Sequence, residues 1–194
     1  MFRTTVVIIL FSLGIYSNNS FSLELDAEDW ENLHRGEVIV QAENINKRKR
    51  VGAAIIIYQP IDKIWQVMLD CDRIHEFLPS LEKCELLDSA EDGSWEMIRH
   101  TVRYSWLTPK TRYVFKAEYE PKKNIHFKRI SGDLNELEGD WGMQVMGDFV
   151  LVTYSVYIDP GFLVPGFITR SALRDDLPEL MRALRQRVAF AKVD

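Results

Sequence analysis

The side chains best able to do chemistry are scattered rather than clustered. Four histidines, His34, His75, His100 and His126, stand far apart and form no i, i+4 pair that could hold a metal ion. HExxH, CxxC, GxSxG and a glycine-rich phosphate loop are all absent. The residues therefore imply no metal and no cofactor, and nothing in them forces an enzymatic reading. His75, inside Asp72-Arg73-Ile74-His75-Glu76, is either a proton carrier at a pocket mouth or, as is commoner, a packing group near a helix end. His100 and His126 fall in strand-like segments and either face each other or point to solvent. Arg99 and Arg103 share a strand face with Trp95 and Met97. If that face is inward, two guanidinium groups could hold a carboxylate or phosphate head; if outward, they are surface charges. Glu136, Glu138 and Asp140 alternate on one face, most simply a wet one. Cys71 and Cys84 are either a short-loop disulfide or two small buried thiols.

Around these residues is a chain of 194 residues, the length of one domain, with 46% hydrophobic and 27% charged residues. The net charge of -5 argues against a nucleic-acid partner, which calls for a basic face. The one basic run, Lys47 to Arg50, reads as a solvated turn between two strands. Residues 1–22 read as a signal peptide: Arg3 leads an apolar run from Val6 to Tyr16, too short to span a bilayer. Ser20 and Ser22 then place small side chains before a cut at Leu23. The expected location is periplasmic or secreted, the alternative being an uncleaved membrane anchor. Residues 23–194 form the remaining domain.

The elements that must position these residues follow from periodicity. A polar lead, Asp26 to His34, suits a helical turn. Gly36 to Asn46 and Arg50 to Gln59 read as strands, the second through the β-branched run Ile55, Ile56, Ile57. Pro60 opens a helix in which Ile61, Ile64, Trp65, Met68 and Leu69 recur at helical spacing, and a second short helix covers Arg73 to Phe77. From Leu81 the period becomes two. Strands are expected at Leu81 to Leu87, Trp95 to Trp106, Thr111 to Glu120, Asn124 to Ile130, Leu137 to Met146 and Phe149 to Ile158. Tyr113, Phe115, Ala117 and Tyr119 share one face, which must meet an apolar interior. Phe167 to Lys192 is the longest helical pattern, with Leu173, Leu177, Leu180, Met181, Leu184 and Val188 as its stripe and Pro178 expected to bend or divide it. A meander that long needs its apolar face covered, and only this terminal helix is long enough.

The segments Ile57 to Trp65, DCDRIHEFLPSL from Asp70 to Leu81, GDLNELEGDW from Gly132 to Trp141, and Pro160 to Val188 occur in an order that resembles the START-like (SRPBCC) superfamily, the polyketide cyclase and coenzyme Q-binding type. Cys71 stands where relatives often carry an aromatic residue. The resemblance covers about residues 36 to 190 and implies an α+β helix-grip fold. That fold wraps a curved antiparallel sheet of about six to eight strands around the C-terminal helix, with two short helices after the first strands. It also implies a cavity between sheet and helix for a lipid, quinone or polyketide-like ring.

The residues expected to line the cavity are Tyr113, Phe115, Phe127, Trp141 and Met143 of the sheet, with Leu173, Leu177 and Met181 of the helix. Trp95 and Arg99 join them if their face is inward. Two other readings stand beside the binding protein. A cyclase or dehydratase would need at least two of Tyr104, Tyr113, Arg99 and His100 to converge in the pocket. An interaction module would use the outer sheet face or the apolar loop at Phe162, Leu163, Val164 and Phe167, which could also gate the pocket or touch a membrane surface.

Overall fold

A computed structural model describes residues 23–45, 48–78, 80–103, 109–159 and 176–191. The lead segment is a helix, α1 (Ala27–His34), begun by a capping box between Asp26 and Asp29. Then come β1 (Ile39–Ile45), β2 (Arg48–Ile57), α2 (Ile61–Leu69) and a single 3-10 turn at Ile74–Glu76. A run of six strands follows: β3 (Leu81–Ser89), β4 (Trp95–Val102), β5 (Thr111–Glu120), β6 (Asn124–Gly132), β7 (Glu136–Met146) and β8 (Phe149–Asp159). The last described element is α3 (Leu177–Phe190).

All eight strands form one antiparallel sheet in the order β1-β2-β8-β7-β6-β5-β4-β3. The six-strand meander therefore folds back so that β8 pairs with β2, and the chain between them, α2 and the 3-10 turn, must cross the inner face to reach the far edge at β3. Gly147, with φ of +65°, makes the two-residue turn that joins β7 to β8. The architecture is the helix-grip α+β fold.

Strand β2 explains itself by position. Ala53, Ile55 and Ile57 are buried in the main core on the inner face, while Ala54 and Ile56 are buried with Leu33 of α1 on the outer face. A strand covered on both sides has no wet face, hence the unbroken apolar run. On the inner side α3 buries Leu177, Leu180, Met181, Leu184 and Val188, and it contacts β2, β1 and α2. Arg185 fixes its orientation by donating from Nη1 to the Gly36 carbonyl at 2.9 Å.

Two expectations are corrected here. The basic run is not a turn, because Arg48 to Arg50 open β2 and pair with β1. The second short helix shrinks to the 3-10 turn. Pro178 stands in the first turn of the described helix, and the residues before it, across which a bend or division would show, lie outside the described residues.

Cys71, just after α2, and Cys84 of β3 form a disulfide with their Cα atoms 5.6 Å apart. It clips the crossing segment to the far edge of the sheet. For a loop closed over 13 positions the chain-entropy relation gives about 3 kcal/mol of stabilisation. Reduction, or the double change Cys71→Ser and Cys84→Ser, is expected to lower unfolding stability by about that amount. Urea titrations with and without a thiol reductant measure it, and identical midpoints would show that the bond contributes nothing.

Candidate ligand-binding site

The inner face of the sheet is not filled edge to edge. A cavity lies between β3–β8 and the crossing segment, roofed by Met68 and Leu69 of α2 and by Ile74, Phe77 and Leu78 around the 3-10 turn. Its space measures about 820 Å³ with the open mouth included, and about 130 Å³ counting only positions where the centre of a water can sit. The disulfide forms part of the wall.

The sheet side is a chain of rings carried on five strands. His100 on β4 meets Phe115 on β5 edge-on at 4.8 Å between centroids, and Phe115 meets Phe127 on β6 at 6.2 Å. Phe127 lies near-parallel to Tyr154 on β8, which in turn contacts Trp141 on β7 at 4.3 Å. Strand alternation puts one ring from each strand on the same face. Gly139 allows the sequence of contacts to cross β7. A Cβ there would fall 2.4 Å from the Phe127 ring and 2.2 Å from the Ser155 carbonyl oxygen, so only glycine fits.

Two polar pairs interrupt the apolar lining. At one place His100 Nδ1 and the Tyr113 hydroxyl lie 3.3 Å apart. His100 is 5% exposed, and its Nε2 has no hydrogen-bond partner among the described residues. Burial pushes the imidazole down to about 4, so it is neutral at neutral pH. Four residues back on β4, about 13 Å along the strand, Glu96 accepts a hydrogen bond of 2.7 Å from the Tyr119 hydroxyl. Burial and that bond raise the Tyr119 phenol above its ordinary value. Trp65 of α2 packs edge-on against Tyr119 at 5.9 Å.

The cavity gathers Tyr113, Phe115, Phe127 and Trp141 from the sequence-based set. It does not gather the rest. Trp95 and Arg99 lie on the outer face, since Glu96, Ile98 and His100 alternate inward. Lys116 stands 5.2 Å over the Trp95 ring, and Arg99 pairs with Glu85 at 3.9 Å. Met143 of β7 is buried in the main core outside the lining, and so are Leu177 and Met181 of α3, whose stripe meets β1, β2 and α2. Among the described residues none of the lining belongs to α3, so the cavity sits beside the helix rather than under it. Leu173, Tyr104 and the loop with Phe162, Leu163, Val164 and Phe167 lie outside the described residues. His75 is exposed on the 3-10 turn, and His126 is on the outer face, its Nδ1 2.8 Å from Asp140.

Glu96, His100, Tyr119 and Tyr154 were missing from the expected lining. On β4 both faces carry apolar residues, Trp95 and Met97 against Ile98 and Val102, so alternation alone could not choose between them. The usable signal was on β5, where Tyr113, Phe115, Ala117 and Tyr119 mark an unambiguous inner face.

A family model described as polyketide cyclase / dehydrase and lipid transport matches residues 57–185. The chain belongs to this family. Among solved structures, a STAR-related lipid transfer protein from Xanthomonas axonopodis superposes with a TM-score of 0.68 at 17% identity, covering 87% of this chain and 98% of that one. The Zhui aromatase/cyclase from Streptomyces sp. R1128 gives 0.57 at 16% identity, covering 73% and 96%. Human StAR-related lipid transfer protein 5 gives 0.65 at 11%, covering 79% and 82%. No curated protein matches the chain in sequence. At such identities these likenesses concern the fold.

The buried imidazole makes stability depend on acidity. Well above pH 6.5 His100 is neutral whether the chain is folded or not, and it adds no slope. As the pH falls from 6.5 to about 4 the unfolded chain takes up a proton that the folded one refuses, so stability is lost. The loss reaches about 3 kcal/mol and then stops, since below that both states are protonated. The variant His100→Phe is expected to lack this part of the acid sensitivity. Urea midpoints for both proteins at pH 7 and pH 4 test it, and equal acid losses would remove His100 as the titrating group.

Proposed function

We propose that this chain is an exported binding protein that encloses a hydrophobic or amphipathic small molecule, of the lipid, quinone or polyketide-like kind, in the cavity beside α3. The carrying observation is that cavity: an apolar space walled by rings from five strands and roofed by the end of α2 and the short segment around the 3-10 turn. Removing apolar ligand surface from water there is favourable by roughly 25 cal/mol per Å² before ordering costs. The family description includes lipid transport, and the Xanthomonas and human structures are lipid-transfer proteins by name. Export is supported by the leader-like residues 1–22 and by the Cys71–Cys84 bond, which persists in an oxidising compartment.

A second reading is favoured by one observation. His100 and Tyr113 converge on the cavity in hydrogen-bonding contact, which meets the condition set for a cyclase or dehydratase. Arg99 does not join them.

Solvent extraction of protein purified from its native compartment, followed by mass spectrometry, separates the readings. A carrier yields a stoichiometric apolar ligand that is recovered unchanged after reloading. A dehydratase returns it lighter by one water. An empty protein that also fails to take up quinones and lipids would overturn both. The intact mass of the same sample is expected to begin at Leu23, and a chain retaining residues 1–22 in the membrane fraction would replace export with anchoring.

A further inference from the structure

Strand β4 sorts its charges by face. Arg99 points outward to Glu85, and Lys116 on the neighbouring strand also lies outside, over Trp95. Glu96 points inward, into the cavity. Among the described residues Glu96 is the only charged side chain in the lining, and the lining holds no lysine or arginine. The imidazole that shares the space is neutral at neutral pH.

A carboxylate turned into an apolar space is costly unless a cation or several donors meet it. Glu96 has one described hydrogen-bond donor, the neutral Tyr119 phenol, on Oε2, and no ion pair among the described residues. The arrangement is therefore complementary to a ligand that brings the missing positive charge. It is hostile to one that brings a second negative charge, since like charges in a site of low dielectric repel strongly. The Tyr119 ring beside the carboxylate adds an aromatic face, which also favours a cation.

We propose that the cavity selects an amphiphile with a cationic amine head, seated on Glu96 and Tyr119, and rejects anionic amphiphiles such as fatty acids. The apolar body runs along Ile98, Phe115 and Phe127 toward His100 and Tyr113. This assignment rests on the binding-protein reading and specifies its ligand class.

The test uses three probes with one chain and three heads: decylamine, 1-decanol and decanoic acid, titrated calorimetrically into the mature protein at pH 7 below their aggregation limits. Decylamine is expected to bind about tenfold or more tightly than decanol, and decanoate more weakly than both. In Glu96→Gln the amine advantage is expected to collapse to within about twofold of decanol while decanol affinity is retained. Decanoate binding as tightly as decylamine, or an amine advantage that survives Glu96→Gln, would overturn the assignment and leave the binding-protein reading intact. Binding of none of the three would overturn both. The probe ranking on the unaltered protein decides the matter even if the variant does not fold.

Discussion

The structure depends on a mismatch of areas. A sheet eight strands wide extends about 34 Å across its strands at 4.8 Å spacing. A helix of 14 residues is about 21 Å long and about 10 Å wide. Such a rod covers only part of the inner face, and its contacts show which part: β1, β2 and the adjoining α2. The rest of the apolar face, from β8 round to β3, must be screened by something else. Among the described residues that cover is the end of α2 and the stretch between α2 and β3, within which lies a single 3-10 turn. The cavity lies between that described cover and the ring-lined surface.

The placement of polar groups follows from the same geometry. Where α3 lies, the facing residues are aliphatic and fully buried: Ile55, Ile57, Val152, Leu184 and Val188. Where it does not, rings take over and hydroxyl, imidazole and carboxyl groups appear among them. In solid core His100 would cost its full desolvation with nothing to offset it. Beside a cavity, its Nδ1 contact with Tyr113 is retained, while Nε2 is buried without a hydrogen-bond partner among the described residues. The same reasoning covers Glu96, whose carboxylate would be ruinous in the aliphatic half of the core.

Most of the fold was legible because period and length carry it. The eight strands fell within a few residues of their expected bounds, since each alternates or is bounded by turn residues. The face of β5 could be read outright because Tyr113, Phe115 and Tyr119 oppose charges. The face of β4 could not, because Trp95 and Met97 imitate an inner face. They are outer residues, with Lys116 lying over the Trp95 ring. The segment linking β4 to β5 hides their register, so the inner face of β5 could not be carried across to Ile98 and His100. The position of the cavity was illegible for a different reason. Sequence shows that α3 is amphipathic, but not which strands its stripe meets, and that choice is made by the β2–β8 pairing between residues far apart in the chain.

The thin cover is held at two points without being thickened. Cys71–Cys84 fastens its start to the far edge of the sheet, and Glu76 pairs with both Arg73 and Arg187, tying the 3-10 turn to α3. The Arg73 guanidinium beside it holds the Glu76 carboxyl below its ordinary value. The Arg73–Glu76 contact is exposed and contributes little energy by itself, so the disulfide carries most of the restraint. A covalent restraint acts on the unfolded chain's freedom and needs no volume on the inner side. An apolar plug of equal stabilising effect would have to occupy the space that Phe115, Phe127 and Trp141 now face. The segment can thus be stable and the interior unfilled at once, which a cover stabilised by packing alone could not achieve.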